Sequence, residues 1–367
     1  MRNICLKPLA AVAVLLAAGA AATGQQSRPP ATPEEFQAMV TAQAQRIIQS
    51  RNLPPHVRVI DGDMIFPESF NPDLDGFYQV NQWPGGQVAF DFDPASLTQQ
   101  DANNAIAAMQ AWAGVANLTF LLRTNQANYI HFQDNNTGNN SPIGFQGGAQ
   151  SLNFSTGQSQ WIIAHEVGHA LGLLHEHQRA DRTIGGYVTI LPCNVQGVTC
   201  DGLGNVTGST SIYNNNFPII NGQNPFGPFD FDSIMAYQRC SFSVCCPAGS
   251  QCNCPATNSC ETIQPQPAYY AQWASGLGQR SHLSYLDGIG MRGLYPYSGD
   301  RWDTDASGGT HVGTFQNPWN LNVATAAAQT PAGGTLFLKS RTIYHGIGTY
   351  SNPVTIESPT GVSVIGN

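Results

Sequence analysis

Apolar positions change their period several times along this chain. Val88, Phe90 and Phe92 recur at every second position, which predicts a strand. Thr98, followed three residues later by Asp101, has the form of a helix start. Ala102, Ile106, Met109 and Ala113 then share one helical face. Short apolar runs at residues 118–122, 129–132 and 151–154, parted by Asn- and Gly-rich loops, predict three more strands. The run Gln160–Leu171 is apolar nearly all round, which predicts a buried helix rather than a surface one. Upstream, Phe36, Met39, Val40, Ala44 and Ile47 predict a helix over residues 34–50. Pro54 and Pro55 end it, and residues 57–65 follow as an extended piece. Downstream of a polar linker at 297–309, residues 335–338, 354–356 and 362–365 predict short strands broken by Gly and Pro. Between Trp83 and about Tyr297 the pattern is mixed helix and strand.

Composition narrows the setting. With 41% apolar residues in 367, the chain has enough material for a sizeable core. Acidic residues outnumber basic ones 23 to 15 and no Lys/Arg cluster occurs, so a nucleic-acid partner is excluded. Arg2 and Lys7, an apolar run over residues 9–18 and small residues at Ala20 and Ala22 read as a secretory signal peptide, residues 1–22. That run is too short to span about 30 Å of hydrocarbon at about 1.5 Å per residue, and no later segment predicts a membrane span. Setting aside Cys5, eight cysteines remain between Cys193 and Cys260. In an exported chain they read as disulfides, with their pairing left open.

The chemistry is concentrated in His165-Glu-Val-Gly-His169-Ala-Leu-Gly172-Leu-Leu-His175. His165 and His169 are four residues apart, so on a helix they project from one face. Gly172 suits the left-handed conformation that ends a helix, which lets the chain turn and return His175 as a third imidazole. Three neutral nitrogens and one open position are what a catalytic Zn²⁺ requires. Two histidines four apart with a glutamate between arise by chance in on the order of one chain in a hundred; Gly172 and His175 at fixed spacing make chance a poor explanation. Glu166 is placed to act as general base on the attacking water and then as general acid toward the leaving amine.

These residues resemble the astacin family of zinc endopeptidases, within the metzincin group. Ser233-Ile-Met-Ala-Tyr237 is similar to the family's methionine turn, Trp83-Pro-Gly-Gly to its first mature strand, and Ser284 through Pro296 to its closing helix. The resemblance implies an α+β catalytic domain of two lobes, with one Zn²⁺ between them and peptide substrate along an edge strand. It implies that Met235 forms an apolar floor without ligating, that Tyr237 is an additional resting-state ligand that swings to stabilise the oxyanion, and that Glu176 pairs with the mature N-terminus. Arg179, Asp181 and Arg182 match the motif's extension and are read as a structural charge network, and His177 as a surface residue. Ile60-Asp-Gly-Asp63 resembles the family's prosegment motif, in which the Asp takes the fourth zinc position. Asp63 is therefore the expected zymogen switch.

The expected plan is a signal peptide (1–22), a propeptide (23–74), a zinc peptidase domain (75–298) and a linker with a C-terminal segment (299–367). The last resembles the opening coil of a pectin-lyase-like parallel β-helix. One coil cannot bury its own core, so at most it serves surface or polysaccharide attachment. The chain departs from the family in lacking a cysteine early in the expected mature domain, where none precedes Cys193, in Thr183 where an acid is usual, and in a cysteine-dense insert over residues 240–260. A protein that keeps the fold without activity, and one acting on carbohydrate through its tail, are the competing readings. The intact Glu166 and histidines speak against the first and the shortness of the tail against the second.

Overall fold

The computed structural model describes residues 57–60, 63–67, 81–136, 138–209, 211–220, 227–247, 260–304, 311–339, 343–345, 348–359 and 364–366. The expected signal peptide, the helix over 34–50 and Cys252 and Cys254 lie outside these residues.

The extended piece expected at residues 57–65 is a hairpin, β1 (Val57–Ile60) and β2 (Met64–Pro67). The next elements are β3 (Gln87–Phe92), α1 (Gln99–Val115), β4 (Thr119–Leu122), β5 (Tyr129–Gln133), β6 (Ser141–Pro142), β7 (Ala149–Asn153) and α2 (Gln160–Leu171). A four-stranded sheet runs β4-β3-β5-β7 with every neighbouring pair parallel. Both helices pack on it. Thr98 and Asp101 close α1 with a reciprocal capping box, as their spacing predicts, and Asp101 also accepts the Gly157 amide ahead of α2 (2.8 Å). Trp112 on α1 donates its indole N–H to the Ala164 carbonyl of α2 (2.8 Å), which fixes the register of the two helices. Ala105, Ala108, Met109, Ile163 and Val167 fill the space between them.

The second lobe is smaller and aromatic. It comprises β8 (Val188–Ile190), β9 (Thr199–Cys200), β10 (Val206–Gly208), α3 (Ser211–Asn216), β11 (Ile263–Pro265) and α4 (Pro267–Trp273). Its core gathers Phe217, Phe229, Phe231, Tyr237, Phe242 and Leu277. Disulfides join Cys193 to Cys200 and Cys245 to Cys260, and Cys240 and Cys246 are disulfide-bonded as well. A buried ion pair, Arg239 to Glu261 (3.0 Å), closes the neck of the cysteine-dense insert.

α5 (Tyr285–Leu294) returns beneath the first lobe, followed by β12 (Arg301–Asp303), α6 (Val323–Gln329), β13 (Thr335–Leu338), β14 (Ile343–His345), β15 (Thr355–Glu357) and β16 (Val364–Gly366). β12-β13-β15 and β14-β16 are parallel sheets. One expectation is corrected here: the stretch read as a linker contains β12, because Trp302 is buried and stacks on Phe337 (4.3 Å between ring centres, 21°). Ile289 of α5 joins that stack, so the tail borrows from the preceding helix the apolar surface it lacks. Arg292 on α5 adds two charge-assisted bonds to Asp300 (2.7 and 2.6 Å). Among the described residues no helix is long and apolar enough to cross a membrane.

Candidate active site

α2 begins at Ser159, whose hydroxyl caps the first turn, and ends at Gly172 in the left-handed conformation (φ 116°). The chain then turns back, as the glycine predicts. His175 arrives beside His165 and His169, and all three rings are buried. Their Nε2 atoms form a triangle of 3.2 Å on every side.

The other ring nitrogens set the tautomers. Nδ1–H of His165 donates to the Ile234 carbonyl and that of His169 to the Leu173 carbonyl, both at 2.8 Å. Both Nε2 lone pairs therefore face inward, and two lone pairs at this distance repel unless a cation lies between them. Nitrogens about 2.0–2.1 Å from a tetrahedral Zn²⁺ are about 3.3–3.4 Å apart, so the triangle fits that ion. Burial depresses the basicity of all three rings. His169 falls to about 3 through burial and then the charge of His175; His175 falls to about 3 through burial and then Arg280; His165 is also held well below the ordinary value. At neutral pH they are uncharged donors, the form a metal takes.

Asp63, just ahead of β2, supplies a fourth donor. Its Oδ2 is 3.2 Å from His175 Nε2 and 3.8 Å from His165 Nε2. Its Oδ1 is buried and has no hydrogen-bond partner among the described residues. One ligand atom from each of the four residues lies within 4.8 Å of the others.

Glu166 is buried beside this cluster. Arg280, which no sequence motif singles out, has its guanidinium within electrostatic reach of Glu166, Asp63 and Tyr237. Burial lowers its pKa to about 10, so it remains a cation at neutral pH. Its Nη1 donates to the Ala236 carbonyl (3.0 Å), which fixes it against the methionine turn.

That turn lies under α2. Met235 is buried, and a methyl group added at Gly168 would meet its Sδ at 2.8 Å and Trp112 at 3.1 Å. The glycine inside the motif is therefore what lets the methionine approach the helix. The Glu176 amide donates to the Met235 carbonyl (3.1 Å), tying the segment that carries the third histidine to the same turn. Glu176 Oε1 accepts from Arg179 Nη1 (3.0 Å) and the Asp230 amide (2.7 Å). Burial pushes its carboxyl up to about 8 even though Arg179 opposes the shift. Arg179 also grips Asp181 (2.8 Å). Arg182 donates to the backbone carbonyls of His177 and Phe217.

Tyr237 is fully buried, its ring centre 4.6 Å from that of His175. His177 corrects the sequence reading. It is fully buried rather than on the surface, donates Nε2–H to the Asn216 carbonyl (3.0 Å) and stacks on Tyr237. A partner 39 residues away satisfies that donor, which lowers the cost of burying a polar ring.

Two lobes with a histidine triad between them, two imidazoles on α2 and the third from the turn that follows it, define a zinc peptidase of the metzincin type. The family model described as Astacin, a peptidase family, matches residues 77–296, and the chain belongs to that family. It is a zinc metalloendopeptidase of α+β fold. Astacin-like metalloprotease toxin 1 of Loxosceles intermedia is 29% identical over 257 residues, covering 66% of this chain and 85% of the relative. High choriolytic enzyme 2 of Oryzias latipes is 32% identical over 205 residues, covering 54% and 67%. Among solved structures, high choriolytic enzyme 1, a hatching-enzyme zinc protease of the same fish, superposes with a TM-score of 0.43 at 27% identity. That match covers 59% of this chain and 92% of the other. The family match ends at residue 296 and lends no support to polysaccharide attachment by the tail.

Proposed function

We propose that this chain is exported behind residues 1–22, held inactive by residues 23–74, and matured to an extracellular endopeptidase formed by residues 75–298. The observation that carries the reading is the Asp63 carboxylate, 3.2 Å from His175 Nε2. A carboxylate is a competent zinc ligand, and in that position it excludes the water that would attack a substrate. The backbone beside it supports the same reading. β2 pairs with β6, and the Ser141 and Ile143 amides donate to the Asp63 and Ile65 carbonyls (2.6 and 3.2 Å). The leader thereby occupies a strand edge on which an extended peptide would lie.

His165, His169 and His175 would hold the metal. When bound, Zn²⁺ supplies a Lewis acid and brings the pKa of a coordinated water toward about 7. Glu166 then takes the proton of the attacking water and returns it to the departing amine, a role that its buried position at the cluster suits. Tyr237 donates to the carbonyl oxygen as negative charge collects on it, and Arg280 adds a positive field. No acyl-enzyme is required. Removal of the leader frees a new amino group for Glu176, whose raised carboxyl gains from a cation.

The test compares three preparations on casein: the precursor, protein processed between Ser69 and Val80, and processed Glu166→Ala. The reading expects cleavage by the processed wild type alone. Equal activity in Glu166→Ala would remove that residue from the chemistry, and a fully active precursor would remove the leader from regulation.

A further inference from the structure

Tyr237 is enclosed by aromatic rings, but its neighbours meet it in different ways. His175, Phe242 and Phe217 approach at interplanar angles of 52°, 57° and 81°. His177 lies nearly flat on it, 4.1 Å between centres at 22°. A flat neighbour resists tilting of the ring yet leaves it free to slide in its own plane, whereas an edge contact blocks sliding.

His177 is itself held firmly. Its Nε2–H donates to the Asn216 carbonyl (3.0 Å), and its own carbonyl accepts from Arg182. Nδ1 is buried without a hydrogen-bond partner among the described residues. The ring thus has one anchored edge, while the other is spent on no bond that would explain its burial. Residues 176–178 form a single 3₁₀ turn starting directly after His175, so the plate beneath Tyr237 is rigidly connected to a metal-binding residue.

We propose that His177 is a positioning residue: its imidazole is the guide plate that sets the plane of Tyr237 at the zinc site and along which the phenol moves during turnover. This rests on the reading of Tyr237 as the phenol that serves the metal and then the carbonyl oxygen.

Two substitutions separate the ring from its hydrogen bond. His177→Phe keeps a flat ring and loses the bond to Asn216. His177→Gln keeps a donor and loses the ring. Each is measured in processed enzyme for kcat and KM on a peptide, for melting temperature, and, after loading with Cu²⁺, for phenolate-to-metal charge-transfer absorption. Tyr237→Phe is the control. The expectation is that His177→Phe retains the absorption band and stays within about twofold of wild-type kcat. His177→Gln should lose or shift the band and fall roughly tenfold in kcat with KM within about twofold. A wild-type band and kcat in His177→Gln, or equal damage in both variants, would overturn the proposal. If the Gln variant does not fold, a folded His177→Phe that lacks the band overturns it alone. Should Tyr237→Phe itself leave band and kcat unchanged, the reading of Tyr237 fails, independently of His177.

Discussion

Asp287, at the start of α5, holds the backbone of Ile234, and Ile234 in turn holds His165. The carboxylate accepts from the Ile234 amide (2.9 Å) and the Ser233 hydroxyl (2.6 Å), while the Ile234 carbonyl accepts from His165 Nδ1 (2.8 Å). The same carboxylate closes the α5 capping box with Ser284. One buried side chain therefore caps a helix, anchors the methionine turn and, through a single residue, orients an imidazole of the candidate zinc site.

Replacing it should show both effects. Asp287→Ala leaves the Ser233 hydroxyl and the Ile234 and Ser284 amides without their acceptor, and is expected to cost about 2–4 kcal/mol of stability. Outer partners of metal-binding histidines affect affinity by roughly 10–100-fold, and zinc affinity should fall within that range. Competition against a chromophoric chelator measures it. A destabilised variant with unchanged zinc affinity would limit Asp287 to capping.

Gly168→Ala tests the floor of the site. Alanine favours a helix over glycine by about 1 kcal/mol. Here the new methyl meets Met235 Sδ at 2.8 Å and Trp112 at 3.1 Å, and overpacking of that kind costs about 1–3 kcal/mol. A lower melting temperature is the expected outcome, since the ring of Trp112 is also bonded to Ala164 and cannot yield freely. A gain in stability would show that the methionine moves aside without cost.

Asp63→Ala should release the precursor from its latch. Losing the fourth donor opens the metal to water while the pairing of β2 with β6 remains. The precursor is expected to cleave small peptides before its leader is removed, or to process itself early. A variant precursor as silent as the wild type would assign inhibition to the strand pairing alone.

Much of this site is local in sequence, which is why it was legible there. The spacing of His165, His169, Gly172 and His175 is a property of one helix and the turn that ends it, and the α1 capping box is equally local. What escaped depends on distant partners. Arg280 reaches the zinc cluster only because the chain passes beneath the methionine turn at Ala236. His177, a polar residue next to a ligand, reads as surface until Asn216 and Tyr237 are brought to it by the fold. Trp302 lies among Gly, Ser and Asp and reads as linker; its burial depends on the distant Phe337 and on Ile289 of the preceding helix.

The central claim is that a single Zn²⁺ held by His165, His169 and His175 makes this chain a peptidase. The most direct measurement is casein hydrolysis by processed protein titrated with zinc after chelator treatment. The account predicts loss of activity on chelation and recovery that saturates at about one equivalent of Zn²⁺ per chain, because one histidine triad holds one ion. Hydrolysis that persists in the chelator, or recovery without added metal, would contradict it.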